Sequence, residues 1–362
     1  MEPLSIGILG TGSYVPEQIQ TNAELEASLR LEENWIFVKT GIVERRIAAP
    51  HEATSDLATH AALRALADAN IAAAQLDLLI IATSTPDHPL PATASIVQRN
   101  IGASHAAAFD ISAVCSGFIY ALVLAQSAMQ GNKQFRRALV IGADTYSRIL
   151  DYQDHRTCIL FGDGAGAAIL GPVPEEMGIR ASYLRSDGSG ASLIQVPAGG
   201  SRFPISEQQL INREHFFHMD GRATRTFIQK ACADAVHALL AQSHLSPQDV
   251  DVIIPHQANG VILNACMGDL GIASSKVCYT LEKYGNTAAA SVPLTLDVAN
   301  KAGRIPDQAT VLLVAFGGGL TWGGILLRWV TAARMEHSLE KVSDRETVHA
   351  ALQVPKPLKT SV

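Results

Sequence analysis

Short apolar runs alternate with longer, Ala-rich stretches along the chain. Strand-like runs occupy residues 78–82, 108–111, 138–141, 165–170, 250–254 and 311–315, and helical stretches occupy residues 54–69, 117–130, 222–242 and 288–301. Strands that are bounded by turn residues and separated by helices of this length indicate βαβ units with mostly parallel sheets. The pattern therefore predicts an α/β fold.

The same succession of elements occurs twice. In the first half a helix precedes the strand LDLLIIAT at residues 76–83, and in the second half a helix precedes DVIIPH at residues 251–256. Later, ALVIGAD at 138–144 is echoed by TVLLVAFGG at 310–318. The repetition predicts two halves, residues 1–173 and 174–330. A polar tail follows, residues 331–362, with one short helix predicted at about 334–342.

The composition favours a chain that folds around a large core. Of its 362 residues 48% are hydrophobic and 17% are charged, against about 25% charged in an ordinary soluble chain. The 28 basic and 34 acidic residues are scattered, with a net charge of −6. Because no basic stripe is present, nucleic acid is not an expected partner.

The N-terminal sequence, the short apolar runs and the cysteines favour the cytoplasm. The N-terminus has neither a positive region nor a small-residue cleavage site, so no secretory signal is expected. The longest apolar runs, such as residues 310–316, are strand-sized and shorter than the roughly 20 residues of a membrane span. The five cysteines include no C-x-x-C pair, which argues against a disulfide framework or a zinc site.

Cys115 is the first candidate for catalysis. It lies in FDISAVCSGFIYAL, where a strand is predicted to end and a helix to begin. A thiolate is stabilised near the positive end of a helix dipole, and the small neighbours leave room for a substrate. A buried, inert cysteine is the alternative, and packing is the role predicted for the other four cysteines, Cys158, Cys232, Cys266 and Cys278.

Two further polar side chains follow predicted strands or turns. His256 ends the strand DVIIP, at the edge where open α/β sheets bind ligands, although a structural histidine is the alternative. Asn286 lies in KYGNTAAASVPLTL, and its amide could donate to an enolate or oxyanion or could serve only as a turn or cap. His215 and His218 near Asp220 do not complete a metal site, so no metal is expected.

The glycine-rich segments do not indicate a dinucleotide site. GILGTGSYV has Val15 where the dinucleotide fingerprint requires its third glycine, which argues against a nicotinamide cofactor. FGDGAGAA at 161–168 and FGGGLTWGG at 316–324 predict tight turns that pass close to a buried substrate.

Taken in order, these motifs resemble the β-ketoacyl-acyl-carrier-protein synthase III family of the thiolase superfamily. The resemblance covers about residues 6–329 and is carried by GTGSYVPEQIQTNAELE, NWIFVKTGIVERRIA, AVCSGFIYAL, FGDGAGAAIL, IPHQAN, YGNTAAASVPL and AFGGGLTWGGILLR. It implies two duplicated βαβαβαββ halves in a five-layered αβαβα fold. It also implies decarboxylative condensation in fatty acid biosynthesis, with no cofactor beyond the coenzyme A thioester that is the substrate.

The resemblance also implies catalytic roles. Cys115 matches the nucleophile that is acylated from acyl-coenzyme A. His256 and Asn286 match the pair that binds the malonyl thioester and stabilises its enolate. The backbone N–H of Cys115 and that of one glycine would form the oxyanion hole, with the glycine taken from Gly317, Gly318 and Gly319.

Substrate-binding positions follow from the same resemblance. Trp35 and Arg156 match residues at the adenine end of coenzyme A, and Asn259 matches a contact to pantetheine. Leu90 lies in a loop that, in the family, closes the acyl pocket of the partner in a homodimer. Leu320 follows the triple glycine and is expected to affect the length of the pocket.

The chain departs from the family where the carrier protein docks. Val261 and residues 268–269 occupy places where the family commonly has basic residues for an acidic acyl carrier protein, and Lys39 replaces an arginine. Arg222 and Arg225, three residues apart on one predicted helix face, are basic where the family is less so. An acyl carrier protein remains the expected partner, at a docking surface that is re-sited, weakened or adapted to another carrier.

Other functions remain open from the sequence. A sibling acyltransferase would pass the acyl group to an oxygen, nitrogen or other carbon acceptor in a specialised pathway, such as polyketide or other secondary metabolism. A non-catalytic scaffold would be expected to lose one of Cys115, His256 and Asn286, and a hydrolase lacks its G-x-S-x-G motif here. Condensation is favoured because it uses all three side chains.

Overall fold

The computed structural model describes residues 4–331 as two β-sheets with helices between and outside them. The strands are β1 (Ile6–Tyr14), β2 (Gln18–Thr21), β3 (Glu44–Ile47), β4 (Leu78–Ala82), β5 (Ala107–Ile111), β6 (Ala138–Asp144), β7 (Gly164–Pro172), β8 (Gly178–Ser186), β9 (Ile194–Gln195), β10 (His218–Met219), β11 (Val252–Pro255), β12 (Thr310–Gly317) and β13 (Thr321–Arg328). The α-helices are α1 (Asn22–Leu29), α2 (Trp35–Thr40), α3 (Thr54–Asp68), α4 (Thr93–Ile101), α5 (Gly117–Gly131), α6 (Glu207–Ile211), α7 (Gly221–Gln242), α8 (Gly260–Asp269), α9 (Leu281–Tyr284) and α10 (Ser291–Lys301). The helix predicted at about 334–342 lies outside the described residues.

Both large sheets follow the same strand order. The first sheet has the order β1-β7-β6-β4-β5, and the second has the order β8-β13-β12-β11. A single parallel bridge joins Ile253 of β11 to Val277, at the position where β5 lies beside β4 in the first sheet. The equivalence agrees with the predicted duplication, whereas the boundary between residues 173 and 174 stays a prediction.

The sheets are mixed, so the prediction of mostly parallel sheets is wrong. Three of their strand pairings are parallel and four are antiparallel. Only residues 318–320 separate β12 from β13, and so short a connection forces an antiparallel hairpin. β6 and β7 are likewise joined without an α-helix to carry the chain back across the sheet.

The helices complete five layers, as predicted. Helices α3 and α4 cover the outer face of the first sheet, and α7 and α8 cover the outer face of the second. Helices α5 and α10 lie between the two sheets and bury apolar side chains against both. This αβαβα arrangement brings the ends of β5, β11 and β12 to one region.

One described helical stretch, residues 114–131, is long and apolar enough by length and composition to cross a membrane. The expectation that apolar runs are only strand-sized is therefore wrong. Half of the stretch is buried, and Phe118, Ile119 and Leu122 of α5 pack in the core between the sheets. This central position accounts for its apolar composition, since both sides of the helix meet a sheet.

Glycines allow helices to lie directly on the first sheet. A Cβ on Gly12 would lie 2.4 Å from the Ala61 oxygen in α3, and a Cβ on Gly166 would lie 2.4 Å from the Leu294 nitrogen in α10. The prediction that the glycines of 161–168 form turns beside a substrate is therefore wrong for Gly166. It lies within β7 and is needed for close packing of a helix.

Candidate active site

One cavity, of about 430 Å³, is lined by all three side chains predicted to be catalytic. Cys115 comes from the first half of the chain, and His256 and Asn286 come from the second. Phe316 and Gly317 at the end of β12 also line the cavity. The five-layer fold therefore brings together residues that lie far apart along the sequence.

Cys115 lies in the tight connection between β5 and α5, as predicted. The preceding residue, Val114, has a φ of 48°, so the chain turns sharply at this point. The hydroxyl of Ser116 donates to the Ala113 oxygen at 2.8 Å and contacts the Thr321 hydroxyl at 2.7 Å. These bonds fix the turn against β13 and hold the Cys115 side chain, which is 8% exposed, at the cavity wall.

The environment of Cys115 favours the thiol over the thiolate. Burial raises the pKa of Cys115, the carboxyl group of Asp144 raises it further, and a backbone N–H lowers it by less. The net direction is opposite to the thiolate stabilisation predicted from the helix start. The resting sulfur is protonated, so any acylation must remove that proton.

His256 presents a neutral imidazole. Its backbone N–H donates to the Val314 oxygen at 2.7 Å, and Phe316 meets the ring edge-on at 5.4 Å. Its Nδ1 lies 2.6 Å from Ser291 Oγ, which leaves Nε2 as the ring nitrogen free to face a substrate. Burial lowers the pKa of His256 to about 3. A neutral ring can donate one hydrogen bond from Nε2 when Nδ1 accepts from Ser291.

We expect the imidazole of His256 to remain neutral at every pH at which the enzyme is assayed. The unfolded chain takes up a proton near pH 6.5, whereas the folded chain does so only near pH 3. The contribution of this residue to stability is therefore complete above about pH 6.5 and is lost as the pH falls towards 3. Histidine NMR should show one imidazole, missing in His256→Gln, that does not titrate between about pH 8 and pH 5. An ordinary titration assigned to His256 would contradict the buried, neutral state.

Asn286 has one side-chain group occupied and one available. Gly285 precedes it with a φ of 63°, and a Cβ there would lie 2.8 Å from the Leu160 oxygen. The Oδ1 of Asn286 accepts from the Ala288 N–H at 2.9 Å, so the residue does act as a turn cap. The amide NH₂ remains the group that can donate into the cavity.

Of the three glycines predicted for the oxyanion hole, Gly317 has the position that suits this role. It lines the cavity, and a Cβ built on it would lie only 2.7 Å from the Cys115 nitrogen. Gly318 instead faces Ile194, and Gly319 has a φ of 130° within the turn to β13. Neither Gly318 nor Gly319 is among the residues that line the cavity.

Gly317→Ala should lower the rate of acylation of Cys115 by roughly a hundredfold, because its methyl group would displace the backbone N–H of the nucleophile. Gly318→Ala is the matched control, since its Cβ would meet the Ile194 side chain at 3.2 Å. The rate of acylation of both variants is measured by stopped flow as the release of coenzyme A. Thermal melting checks that each variant is folded. Equal rates in the two variants would remove Gly317 from the oxyanion hole.

The mouth of the cavity is formed by α2, α7 and α8. Trp35, Lys39, Asn259 and Arg225 all line it. Asn259 caps α8 by accepting from the Ile262 N–H at 3.1 Å, and its Nδ2 donates to the Lys39 oxygen at 3.1 Å. The amide of Asn259 thus joins two of the elements that form the entrance.

Sequence reasoning missed the residue that faces Trp35. Arg156 lines the cavity, but its side chain is 71% exposed and its guanidinium is paired with Asp154 at 2.8 Å. The ring of His155 meets Trp35 edge-on, with centroids 5.8 Å apart. Its place in the DHR triplet, beside the predicted Arg156, is the signal that could have indicated it.

Three further predicted residues do not line this cavity. Arg222 is exposed on α7, one turn from Arg225, and Leu90 is 82% exposed. Leu320 is buried, and its side chain lies where a Cβ on Gly190 would approach to 2.5 Å. Sequence reasoning also missed the aromatic wall of the cavity, which comprises Tyr146, Phe161 and Phe217.

No cluster of metal-ligating side chains occurs within residues 4–331. The side chain of His218 lies 3.3 Å from the Arg213 oxygen, and Asp220 caps α7 by accepting from Arg222 and Ala223 N–H groups. The carboxylate of Asp220 is thus occupied by backbone N–H groups at the start of α7.

Comparison with known proteins gives consistent matches. Residues 109–188 match the family model of 3-oxoacyl-(acyl-carrier-protein) synthase III, and residues 240–329 match that of its C-terminal part. A β-ketoacyl-(acyl-carrier-protein) synthase III of Caldanaerobacter subterraneus is 49% identical over 328 residues, which are 91% of this chain and 99% of that protein.

Solved structures agree with these matches. The 3-oxoacyl-(acyl-carrier-protein) synthase III of Aquifex aeolicus has a TM-score of 0.81 at 39% identity, covering 90% of this chain and 100% of its own. The enzyme of the same name from Pseudomonas aeruginosa has a TM-score of 0.83 at 36% identity, covering 90% and 99%. The fold is thus similar to that of these proteins throughout their length.

Proposed function

Because the chain belongs to the 3-oxoacyl-(acyl-carrier-protein) synthase III family, and is thus a condensing acyltransferase of fatty acid biosynthesis, we propose that it joins a Cys115-bound acyl group to malonyl-acyl-carrier protein. The acyl group comes from coenzyme A. One observation carries the assignment of residues: a thiol, a neutral imidazole and a carboxamide line the same cavity. Domain roles follow, with the nucleophile in residues 1–173 and the enolate-binding pair in 174–330.

In the first step Cys115 Sγ attacks the thioester carbonyl of acyl-coenzyme A. The carbonyl oxygen becomes negative and accepts hydrogen bonds from the N–H groups of Cys115 and Gly317. The carbon–sulfur bond to coenzyme A then breaks, and the departing thiolate ends with the proton that Cys115 lost. Because the resting thiol is protonated, nucleophile and leaving group exchange one proton and no external base is consumed.

In the second step the malonyl thioester carbonyl accepts hydrogen bonds from His256 Nε2 and the Asn286 amide. Loss of carbon dioxide leaves an electron pair that these two donors stabilise as an enolate. The enolate carbon attacks the acyl carbon, the bond from that carbon to sulfur breaks, and Cys115 leaves as a thiolate that takes a proton from solvent. Two neutral donors suit this chemistry, and the neutral state of His256 supports the assignment.

The mouth of the cavity suits a long thioester. Trp35 and His155 offer two rings to the adenine end of coenzyme A, and Lys39 and Arg225 offer positive charge to its phosphates. Arg222 lies on the same helix as Arg225 but outside the cavity, where it can meet an acidic carrier protein. Arg156, which is paired with Asp154, is the weaker candidate for coenzyme A.

The enzyme works as a homodimer in the cytoplasm. β5 lies at the edge of the first sheet, with no second described strand beside it, and its Phe109 is 40% exposed. An open edge with an exposed aromatic residue is a surface that proteins normally cover. Leu90 is exposed and can reach a partner's acyl pocket. Light scattering that gives the mass of one chain would contradict this assembly.

Product analysis tests the reaction. Acetyl-coenzyme A and malonyl-acyl-carrier protein should yield 3-oxobutyryl-acyl-carrier protein and one carbon dioxide per turnover, as followed by mass spectrometry. Malonyl-coenzyme A in place of the carrier protein measures how much the carrier contributes. Acyl transfer to an oxygen or nitrogen acceptor without release of carbon dioxide would favour the sibling acyltransferase of a specialised pathway.

A further inference from the structure

The turn that follows Asn286 has the same form as the turn that carries Cys115. Val114–Ser116 and Ala288–Ala290 are both single 3₁₀ turns, and each leads directly into one of the two helices between the sheets, α5 and α10. The first residue of each turn has a φ of 48°. The duplicated fold therefore places Ala289 in the second turn where the nucleophile lies in the first.

The second turn is strained and is held by two side chains. Ala288 has its φ in the left-handed region, which a residue with a Cβ keeps only where the surrounding structure holds it. Its N–H donates to Asn286 Oδ1 at 2.9 Å, and the N–H of Ala289 donates to Asp144 Oδ2 at 3.0 Å. Because Asp144 ends β6, a strand of the first half of the chain holds the asparagine turn of the second half.

The carboxylate of Asp144 is itself fixed on its other side. The residue is 0% exposed, and its Oδ1 accepts from three groups in and after the end of β4: the Ser84 N–H at 2.7 Å, the Thr85 hydroxyl at 2.9 Å and the Thr83 hydroxyl at 3.2 Å. All of these partners are donors, so the site is built for a group with two acceptor oxygens. Asp144 thus joins the loop after β4 to the turn after Asn286.

Gly317 has the position in the first turn that Asp144 has in the second. β6 and β12 are the third strands of their sheets, and Asp144 and Gly317 are their last residues. A Cβ on Gly317 would lie 2.7 Å from the Cys115 nitrogen, so the glycine leaves this N–H open to a substrate oxygen. In the second turn a carboxylate oxygen of the chain itself accepts from the equivalent N–H, that of Ala289.

We propose that Asp144 is a positioning residue for condensation: its carboxylate fills the place that corresponds to the oxyanion hole and fixes the turn that aims the Asn286 amide at the enolate. The inference rests on the proposed function, since it uses Asn286 as an enolate donor. Asp144 is not among the residues that line the cavity, so its effect passes through Asn286. Acylation should be spared, because the carboxyl group of Asp144 raises the pKa of Cys115 and its loss does not hinder removal of the thiol proton.

Asp144→Asn tests the proposal with a side chain of the same size. An amide has one acceptor oxygen and one donor NH₂, so one side of the site must then face a donor with a donor. The rate constant for condensation by enzyme acetylated beforehand should fall about tenfold or more, the scale expected when a reacting group is misplaced. Acylation by acetyl-coenzyme A should stay within about threefold of the wild-type rate, because Asn286 has no role in that step.

Asp297→Asn is the matched control. Asp297 of α10 is 1% exposed and also joins the two halves of the chain, since its carboxylate accepts from the hydroxyls of Thr11 and Ser13 in β1. It does not line the cavity and makes no listed bond to the asparagine turn within residues 4–331. Both half-reactions should stay close to wild type in this variant, whatever the change in melting temperature.

A double-mutant cycle shows whether the effect passes through the asparagine. Asp144→Asn combined with Asn286→Asp should condense no more slowly than Asn286→Asp alone, because residues that act as a unit are not additive. A merely structural role would multiply the two losses. Multiplied losses, normal condensation by Asp144→Asn, or an equal loss of acylation and condensation would overturn the proposal.

Two further comparisons keep the test decisive. If Asp144→Asn does not fold, Thr83→Val takes its place under the same criteria, since it removes one hydroxyl that holds Oδ1. Asn286→Asp alone separates the two levels of inference. If it loses condensation while the Asp144 variant does not, only the positioning role fails; if it condenses normally, the proposed role of Asn286 fails together with the inference.

Discussion

Cys115→Ala should abolish the covalent acyl adduct and lower condensation by about a thousandfold or more, the scale of loss when a nucleophile is removed. The cavity is lined by no other cysteine, so the described wall offers no second thiol to take the acyl group. Intact-mass spectrometry after incubation with acetyl-coenzyme A reports the adduct directly. The alanine variant leaves the turn bonds of Ser116 in place, and its fold should therefore survive.

Cys158→Ala is the matched control for that experiment. Cys158 is fully buried in the same hydrophobic cluster as Cys115, but it does not line the cavity. The control should keep the adduct at full stoichiometry, and tandem mass spectrometry should assign that adduct to residue 115. An adduct that persists in Cys115→Ala would show that another residue is acylated and would overturn the mechanism.

Asn286→Asp should retain acylation of Cys115 and lose condensation by roughly a hundred- to a thousandfold, the usual effect of removing one oxyanion donor. The aspartate keeps an oxygen for the Ala288 N–H, so the turn survives, but it replaces the NH₂ that would face the enolate. Release of carbon dioxide and the lifetime of the acyl adduct separate the two steps. Asn286→Ala, which also loses the cap on the turn, should be equally inactive and less stable.

Two outcomes of the asparagine experiment would contradict the role proposed for Asn286. Normal condensation by Asn286→Asp would mean that the residue is only a turn cap, the alternative that the sequence alone left open. Loss of acylation in this variant would also conflict with the account, because Asn286 has no role in the first step. His256→Gln serves as a companion variant, since it removes the other proposed donor from the enolate.

The repeating strands and helices were predictable because burial imposes a period on the sequence. The runs at β4 and β12 are buried along their whole length and read as continuous apolar segments. Strand direction was less predictable, since it depends on what connects the strands. The number of strands in the second sheet was also not predictable. This sheet has four strands where the first has five, because Val277 makes only one bridge to Ile253.

The three central side chains were predictable because each lies in a motif of several residues at the end of an element. Features set by tertiary surroundings were not. The direction of the Cys115 pKa follows from burial and from Asp144, which is contributed by another strand. The ring of His155 meets Trp35, whereas its neighbour Arg156 is paired with Asp154. Tyr146 belongs to no motif that indicates a binding site.

The most direct test of the account is a single turnover on protein acylated beforehand. Acetylated enzyme, freed of coenzyme A, is mixed with malonyl-acyl-carrier protein, and adduct mass and carbon dioxide are followed together. The adduct on Cys115 should disappear at the same rate as carbon dioxide is released, with one 3-oxoacyl product for each adduct lost. Carbon dioxide released while the adduct persists, or product formed from enzyme without an adduct, would contradict the passage of the acyl group through Cys115.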